Sequence, residues 1–253
     1  MSNPTPDAAV PRPTVAMLLY PGLTLLDLLS PHTVFSGAMD IHLVWKNLDP
    51  IVTDSGITLH PTTSFAGCPT NIDILFVPGG RDQASTSADE EVLTFLADRG
   101  SRARYVTSVC GGSLILGAAG LLQGYKAATH WTGRDVLPLL GAENVNERVV
   151  IDRNRITGGG VTAGLDFGLV VLAEMLGEEV AKITQLAMEY DPQPPFDFGS
   201  PEKAGPALTQ IVRAATAKTN NDMLRVVHEL NANGWGRARG SVPSDQPARP
   251  IGR

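Results

Sequence analysis

The chain has 253 residues, of which 43% are hydrophobic and 18% charged, and carries a formal net charge of −6. That length and apolar content suffice for one α/β domain with a full core and exclude disorder as the default state. The acidic balance and scattered basic residues exclude the electrostatic footprint of a nucleic-acid binder and give no reason to expect contact with an anionic membrane.

Cys68 and Cys110 are the only cysteines; they cannot build a disulfide framework and suit a reducing compartment. The opening Met-Ser-Asn-Pro-Thr-Pro-Asp is neither a signal peptide nor a membrane span, so a cytoplasmic location is expected. Residues 1–13 read as a disordered arm, because prolines and polar side chains leave nothing to bury. Thr14 to Tyr20 is a nearly continuous apolar run closed by Pro21-Gly22, the pattern of a parallel strand covered on both faces.

Leu23 to Phe35 reads as a helix in which Asp27 sits among five leucines. An unpaired carboxylate there is costly to ionise, which is how a general acid working near neutrality is made. The competing reading is a first-turn Asp capping backbone N–H groups in water. His32, beside Pro31, reads as structural. Ile41 to Leu48 is expected to be a strand, and Gly56 to Leu59 a short hairpin arm with Ile51-Val52. Thr62 to Pro69 is connector, and Cys68 within it is expected to be inert. Asp73 to Gly80 is a third strand of parallel type, ending in Gly79-Gly80. At that edge of an open α/β sheet, glycine lets backbone N–H groups approach a ligand. Residues 89–102 form a charged amphipathic helix.

The chain is organised around Arg104 to Leu122. A β-branched run ends at Cys110, Gly111 and Gly112 follow, and a small, aliphatic helical run begins. This is strand, sharp turn and helix with a thiol at the apex, the geometry of a nucleophile elbow. A helix starting at Gly111 is expected to aim N–H groups at the sulfur and favour thiolate over thiol. The other reading of Cys110 is a small buried hydrophobe.

Lys126 to His130 reads as a short strand, Trp131 to about Leu140 as a helix, and Val149–Ile151 and Arg155–Thr157 as strands. Thr157 to Gly164 is a glycine-rich turn into a helix over Leu165 to Leu176. It lacks the Lys-Ser/Thr of a P-loop and the G-x-G-x-x-G pattern, so it reads as a pocket wall. A helix over Glu178 to Glu189, a Pro- and aromatic-rich loop over 190–201 and a long amphipathic helix from Ala204 to about Leu230 follow. Leu208, Ile211 and Val212 on that last helix should pack on the body or on a partner subunit. One domain over 14–233 is expected, with a flexible tail over 234–253.

No metal site is expected, since the histidines and cysteines show no ligand spacing. His130, the one histidine downstream that could serve Cys110, reads as structural. What remains is a thiol at an elbow, a carboxylic acid in an apolar segment and glycine N–H donors. That set suits nucleophilic addition to a small polarised carbon, followed by proton delivery and hydrolysis.

Ser-Val-Cys110-Gly-Gly-Ser-Leu, Leu-Asp27-Leu-x-x-Pro-His, Val-Pro-Gly-Gly80, Thr-His130-Trp, Thr-Gly-Gly-Gly-Val161-Thr-Ala-Gly and Tyr190-Asp-Pro-x-Pro-Pro-Phe-x-x-Gly-Ser-Pro together resemble the ThiJ/PfpI superfamily and, within it, the isonitrile (isocyanide) hydratases. The likeness spans roughly residues 14–205. It implies a flavodoxin-like three-layer α/β sandwich with a mostly parallel central sheet, a homodimer, no cofactor, and a carbon–nitrogen hydro-lyase acting on small-molecule isocyanides. It implies that Cys110 attacks the isocyanide carbon to give a thioimidate and that Asp27 is the general acid and base. The N–H groups of Gly80 and Gly111 become the anion-stabilising donors, with Gly159 and Val161 near the substrate. Hydratases of this type carry threonine after the cysteine and Thr-Gly before the proline, where this chain has Gly111 and Leu29-Ser30. Two alternatives stay open: a non-catalytic cysteine-based redox or ligand sensor, and glyoxalase-like action on 2-oxoaldehydes. The single helix and tail after residue 201 are too short for the DNA-binding unit of a regulator.

Overall fold

The computed structural model describes residues 11–234; the expected arm up to residue 10 and the tail from 235 lie outside that range. Of the expected arm, Arg12 is held in place by its Nη2 donating to the Met39 carbonyl at 2.8 Å and by Asp40 at 3.2 Å.

In chain order the strands are β1 (Thr14–Leu18), β2 (Asp40–Trp45), β3 (Ile51–Val52), β4 (Thr58–Leu59), β5 (Thr63–Ser64), β6 (Ile74–Val77), β7 (Tyr105–Val109), β8 (Lys126–Ala127), β9 (Glu143–Asn144), β10 (Val149–Asp152) and β11 (Arg155–Gly158). The helices are α1 (Leu25–Ser36), α2 (Gln83–Ser87), α3 (Glu90–Gly100), α4 (Gly112–Ala118), α5 (Ala163–Leu176), α6 (Glu178–Ala187) and α7 (Pro201–Ala232). The main sheet has seven strands in the order β10-β11-β7-β6-β1-β2-β5, parallel apart from the antiparallel edge strand β10. The hairpin arm forms as expected, with Ile51 opposite Leu59.

Every residue of β6 and β7 is buried, so apolar side chains leave both faces of the sheet and need helices on each. One helical group is α1 against α5 and α5 against α6; the other is α4 against α2 and α3, with α7 against α2. This is the flavodoxin-like sandwich. The α1–α5 crossing fixes where Asp27 stands. It is close because α5 offers glycine where α1 presses: a methyl on Gly164 would lie 2.9 Å from Ser30 Cβ, and one on Gly168 3.0 Å from Val34 Cγ2.

Three expectations are corrected. Trp131–Leu140 is not one helix but two 3₁₀ turns, Trp131–Gly133 and Leu137–Leu140; Gly133 and Pro138 interrupt it, and left-handed Gly141 ends it. The strand expected over Lys126–His130 stops at Ala127, because His130 turns to accept the Thr132 N–H. The last helix begins at Pro201 and breaks at Gly205, and of the two packings expected for its first half the one on the body is absent among the described residues: Leu208, Ile211 and Val212 are 47, 65 and 42% exposed, whereas Met223 and Val227 are fully buried.

Gly164→Ala is expected to lower the unfolding free energy by about 1–3 kcal/mol through overpacking at the α1–α5 crossing. Adding Ser30→Gly, which removes the opposing Cβ, should recover part of that loss in urea unfolding; a stability unchanged by Gly164→Ala would refute the close contact.

Candidate active site

The loops after β1, β6, β7 and β11 come from four strands that are neighbours in the sheet, and they converge at its carboxyl edge. Cys110 follows β7 directly and takes a φ of 60°, a left-handed conformation that costs a side-chain-bearing residue energy. The surroundings enforce it. The Cys110 N–H donates to the carbonyls of Gly158 at 3.1 Å and Gly159 at 2.7 Å, and Thr129 Oγ1 donates to the Cys110 carbonyl at 2.9 Å. Helix α4 starts two residues later, so the strand, turn and helix of an elbow are all present.

Asp27, in the first turn of α1, is fully buried. Its Oδ2 accepts the Gly79 N–H at 2.9 Å. The Cys110 thiol is the other polar group against the carboxyl, and Oδ1 is left without an aligned partner. Two segments, the start of α1 and the Cys110-Gly111 turn, crowd Gly79. A methyl there would fall 2.4 Å from the Gly111 nitrogen and 2.9 Å from both Asp27 Oδ2 and Cys110 Cβ. Any other residue at 79 would force the acid and the sulfur apart. The turn is also anchored from below, where the buried Tyr20 hydroxyl donates to the Pro78 carbonyl at 3.1 Å.

Burial pushes the Asp27 carboxyl up to about 7, against the Cys110 thiol and the Gly79 N–H, which pull it down, and with a small upward push from Asp54. Burial, and then the charge of Asp27, hold the Cys110 thiol well above its ordinary value, although the N–H groups of Gly111 and Val161 point at the sulfur and favour its charged form. The expected preference for thiolate is thereby reversed. A helix of seven residues and two N–H donors do not outweigh desolvation beside a carboxylate.

Cys110, Asp27, Gly111 and Val161 therefore meet in one site. Gly159 touches it through its carbonyl, since its own N–H donates to the Arg148 carbonyl at 2.9 Å. Gly80 sits one residue beyond the carboxylate, bridged opposite Leu23, and Gly79 occupies the donor position. The resemblance named Gly80 as an anion-stabilising donor; the glycine N–H that reaches the Asp27 carboxylate is that of Gly79. Gln83, buried beside Gly111, carried no signal in the sequence. His130 Nδ1 lies 2.8 Å from Thr132 Oγ1 and forms no Cys–His pair. Next to the site opens a pocket of about 360 Å³ whose lining includes Thr129, His130, Trp131, Gly159, Gly160 and Val161, so the glycine-rich turn does form a pocket wall. Among the described residues no group of three or more His, Cys, Asp or Glu side chains could hold a metal ion, and no helix is long and apolar enough to cross a membrane.

A buried thiol on a strained strand-to-helix turn, against a buried carboxylic acid at the edge of a parallel sheet, defines an α/β protein with a cysteine elbow. The DJ-1/PfpI family profile matches residues 13–174, and the chain belongs to that family. It is 48% identical over 205 residues to the isonitrile hydratase of Pseudomonas putida, an alignment covering 80% of this chain and 90% of that protein. The crystal structure of a ThiJ/PfpI family protein from Pseudomonas syringae superposes with a TM-score of 0.84 at 46% identity, covering 90% of this chain and 97% of that one. Schizosaccharomyces pombe DJ-1, at 19% identity and a TM-score of 0.63 over 70% of this chain and 100% of that one, shares the fold.

The raised Asp27 carboxyl makes stability depend on pH with a defined sign. A carboxyl normally near 3.9 that titrates near 7 in the folded state holds its proton more tightly there. Its contribution is full below about 4 and is lost as pH rises through about 7. Relative to the wild type, Asp27→Asn should therefore gain up to about 1.4 kcal/mol per pH unit between about pH 4 and 7, and nothing further above. Urea unfolding of both proteins across that range measures it, and parallel pH profiles would contradict the raised carboxyl.

Proposed function

We propose that this protein is an isonitrile hydratase, converting an isocyanide and water to the N-substituted formamide with Cys110 and Asp27 as its catalytic residues. The observation that carries the reading is the contact between the buried Cys110 thiol and the buried Asp27 carboxyl, which burial raises to about 7. An isocyanide carbon is a terminal carbon that must accept a nucleophile and a proton on the same atom. A sulfur and an acid set side by side supply both. Cys110 Sγ bonds to that carbon while the thiol proton, passed through Asp27, goes to it as well, giving R–N=CH–Sγ. Water then adds to the same carbon, and collapse returns the thiol and releases R–NH–CHO. The N–H groups of Gly111 and Val161 steady the sulfur whenever it carries charge, at its formation and at its release.

The 48% identity to a named isonitrile hydratase across most of both chains supports the same reaction. A peroxide-sensing role is less well served, because oxidation needs thiolate and burial disfavours that form at Cys110. The two unpaired cysteines suit a cytoplasmic location. A homodimer accounts for large apolar side chains left in water on three successive segments: Leu186 on α6 at 82% exposure, Phe196 in the following loop at 75% and Ile211 on α7 at 65%.

Cys110→Ala and Cys110→Ser should abolish formamide production from a simple alkyl isocyanide with the circular dichroism spectrum unchanged; full turnover by either would end the proposal. Asp27→Asn should lose turnover by at least about a hundredfold, the usual scale of general acid–base catalysis. For the dimer, light scattering should give twice the chain mass, and Leu186→Glu with Phe196→Glu should shift it toward the monomer. A wild type that runs as a monomer at all concentrations would rule the dimer out.

A further inference from the structure

The residue after the nucleophile has no side chain, and the space it would use is taken. A methyl on Gly111 would lie 1.6 Å from Gln83 Oε1 and 3.3 Å from Nε2, so the Gln83 carboxamide stands where a residue-111 side chain would begin. Gln83 opens α2, which is gripped between α4 and α7, and it is only 6% exposed. No described residue hydrogen-bonds its amide, yet its polar atoms are not sealed from solvent as Asp27 Oδ1 is, so they keep a small opening toward water. Such a group, held beside the N–H that faces the Cys110 sulfur, is built to hydrogen-bond something that enters the site. An amide does not titrate there, unlike a carboxylate beside Asp27. It both donates and accepts, which matches the needs of one polar molecule near the covalent carbon.

We infer that Gln83 is the positioning residue for the hydrolytic water: its carboxamide holds the water that attacks the Cys110 thioimidate. The inference rests on the hydratase reading. In this step the water oxygen bonds to the carbon of R–N=CH–Sγ, one water proton passes to nitrogen and the other ends as the hydroxyl of R–NH–CH(OH)–Sγ. Breaking the C–S bond then moves that hydroxyl proton to sulfur and frees the formamide. Gln83 therefore acts on the second half of the reaction and not on the first. In this chain the glycine at 111 is what leaves room for the amide, because a Cβ there would displace Gln83 Oε1.

Two variants test this with an alkyl isocyanide as the probe. Gln83→Leu removes the amide at similar volume. Gly111→Ala leaves Gln83 in the chain but pushes its flexible end aside, at a backbone φ of −67° that alanine adopts freely. Each should lower kcat roughly tenfold or more, with a stoichiometric burst of isocyanide consumption and a Cys110 adduct of protein-plus-isocyanide mass by intact-mass spectrometry. A merely structural role would slow both halves and accumulate no adduct. Wild-type kcat without adduct in both variants overturns the role of Gln83 and leaves the hydratase reading standing. A lowered kcat without adduct moves Gln83 to the first step and overturns the water assignment. No formamide from the wild type ends the hydratase reading and this inference with it.

Discussion

The site depends on the absence of a side chain at Gly79. Asp27, the Gly111 nitrogen and Cys110 all press on the place where its Cβ would be. Around that point an acid from the first turn of α1, which follows β1, and a sulfur from the turn after β7 are held together by a turn after β6, the strand that lies between β1 and β7 in the sheet. Parallel strands make this convergence possible. Their carboxyl ends all emerge at one edge, so residues far apart in the chain become neighbours there.

Desolvation is the second constraint. The apolar residues around Asp27 raise its pKa toward neutrality, and the same dry surroundings keep the Cys110 sulfur protonated despite two N–H donors. Burial thus disfavours the charged form of both the acid and the nucleophile. The left-handed backbone at Cys110 adds strain, borne by its N–H bonds to Gly158 and Gly159 and by the rigid β7–α4 corner. A protein that places this much unsatisfied polarity in its interior, with Asp27 Oδ1 unpartnered, gives up stability for a site poised toward a small neutral molecule.

Much of the fold could be read from local pattern. The unbroken apolar runs of β1, β6 and β7 announced buried parallel strands, and the β-branched run, cysteine and two glycines announced the elbow. The pattern failed where local propensity is weak. Trp131–Leu140 has helical residues but is cut by Gly133 and Pro138, and α7 has helical periodicity over a half that none of the described residues covers. The five residues of α2 are too few for periodicity to show, which is why Gln83 went unseen.

By itself the sequence determined the fold class, the elbow at Cys110 and the candidacy of Asp27, because periodicity, glycine punctuation and an acid among leucines are local properties of the chain. Only the tertiary structure decided that Gly79 rather than Gly80 faces the carboxylate, that burial outweighs the N–H donors at the sulfur, and that Gln83 fills the space beside Gly111. Those outcomes turn on distances and on water excluded by segments remote in sequence, and no local pattern encodes either.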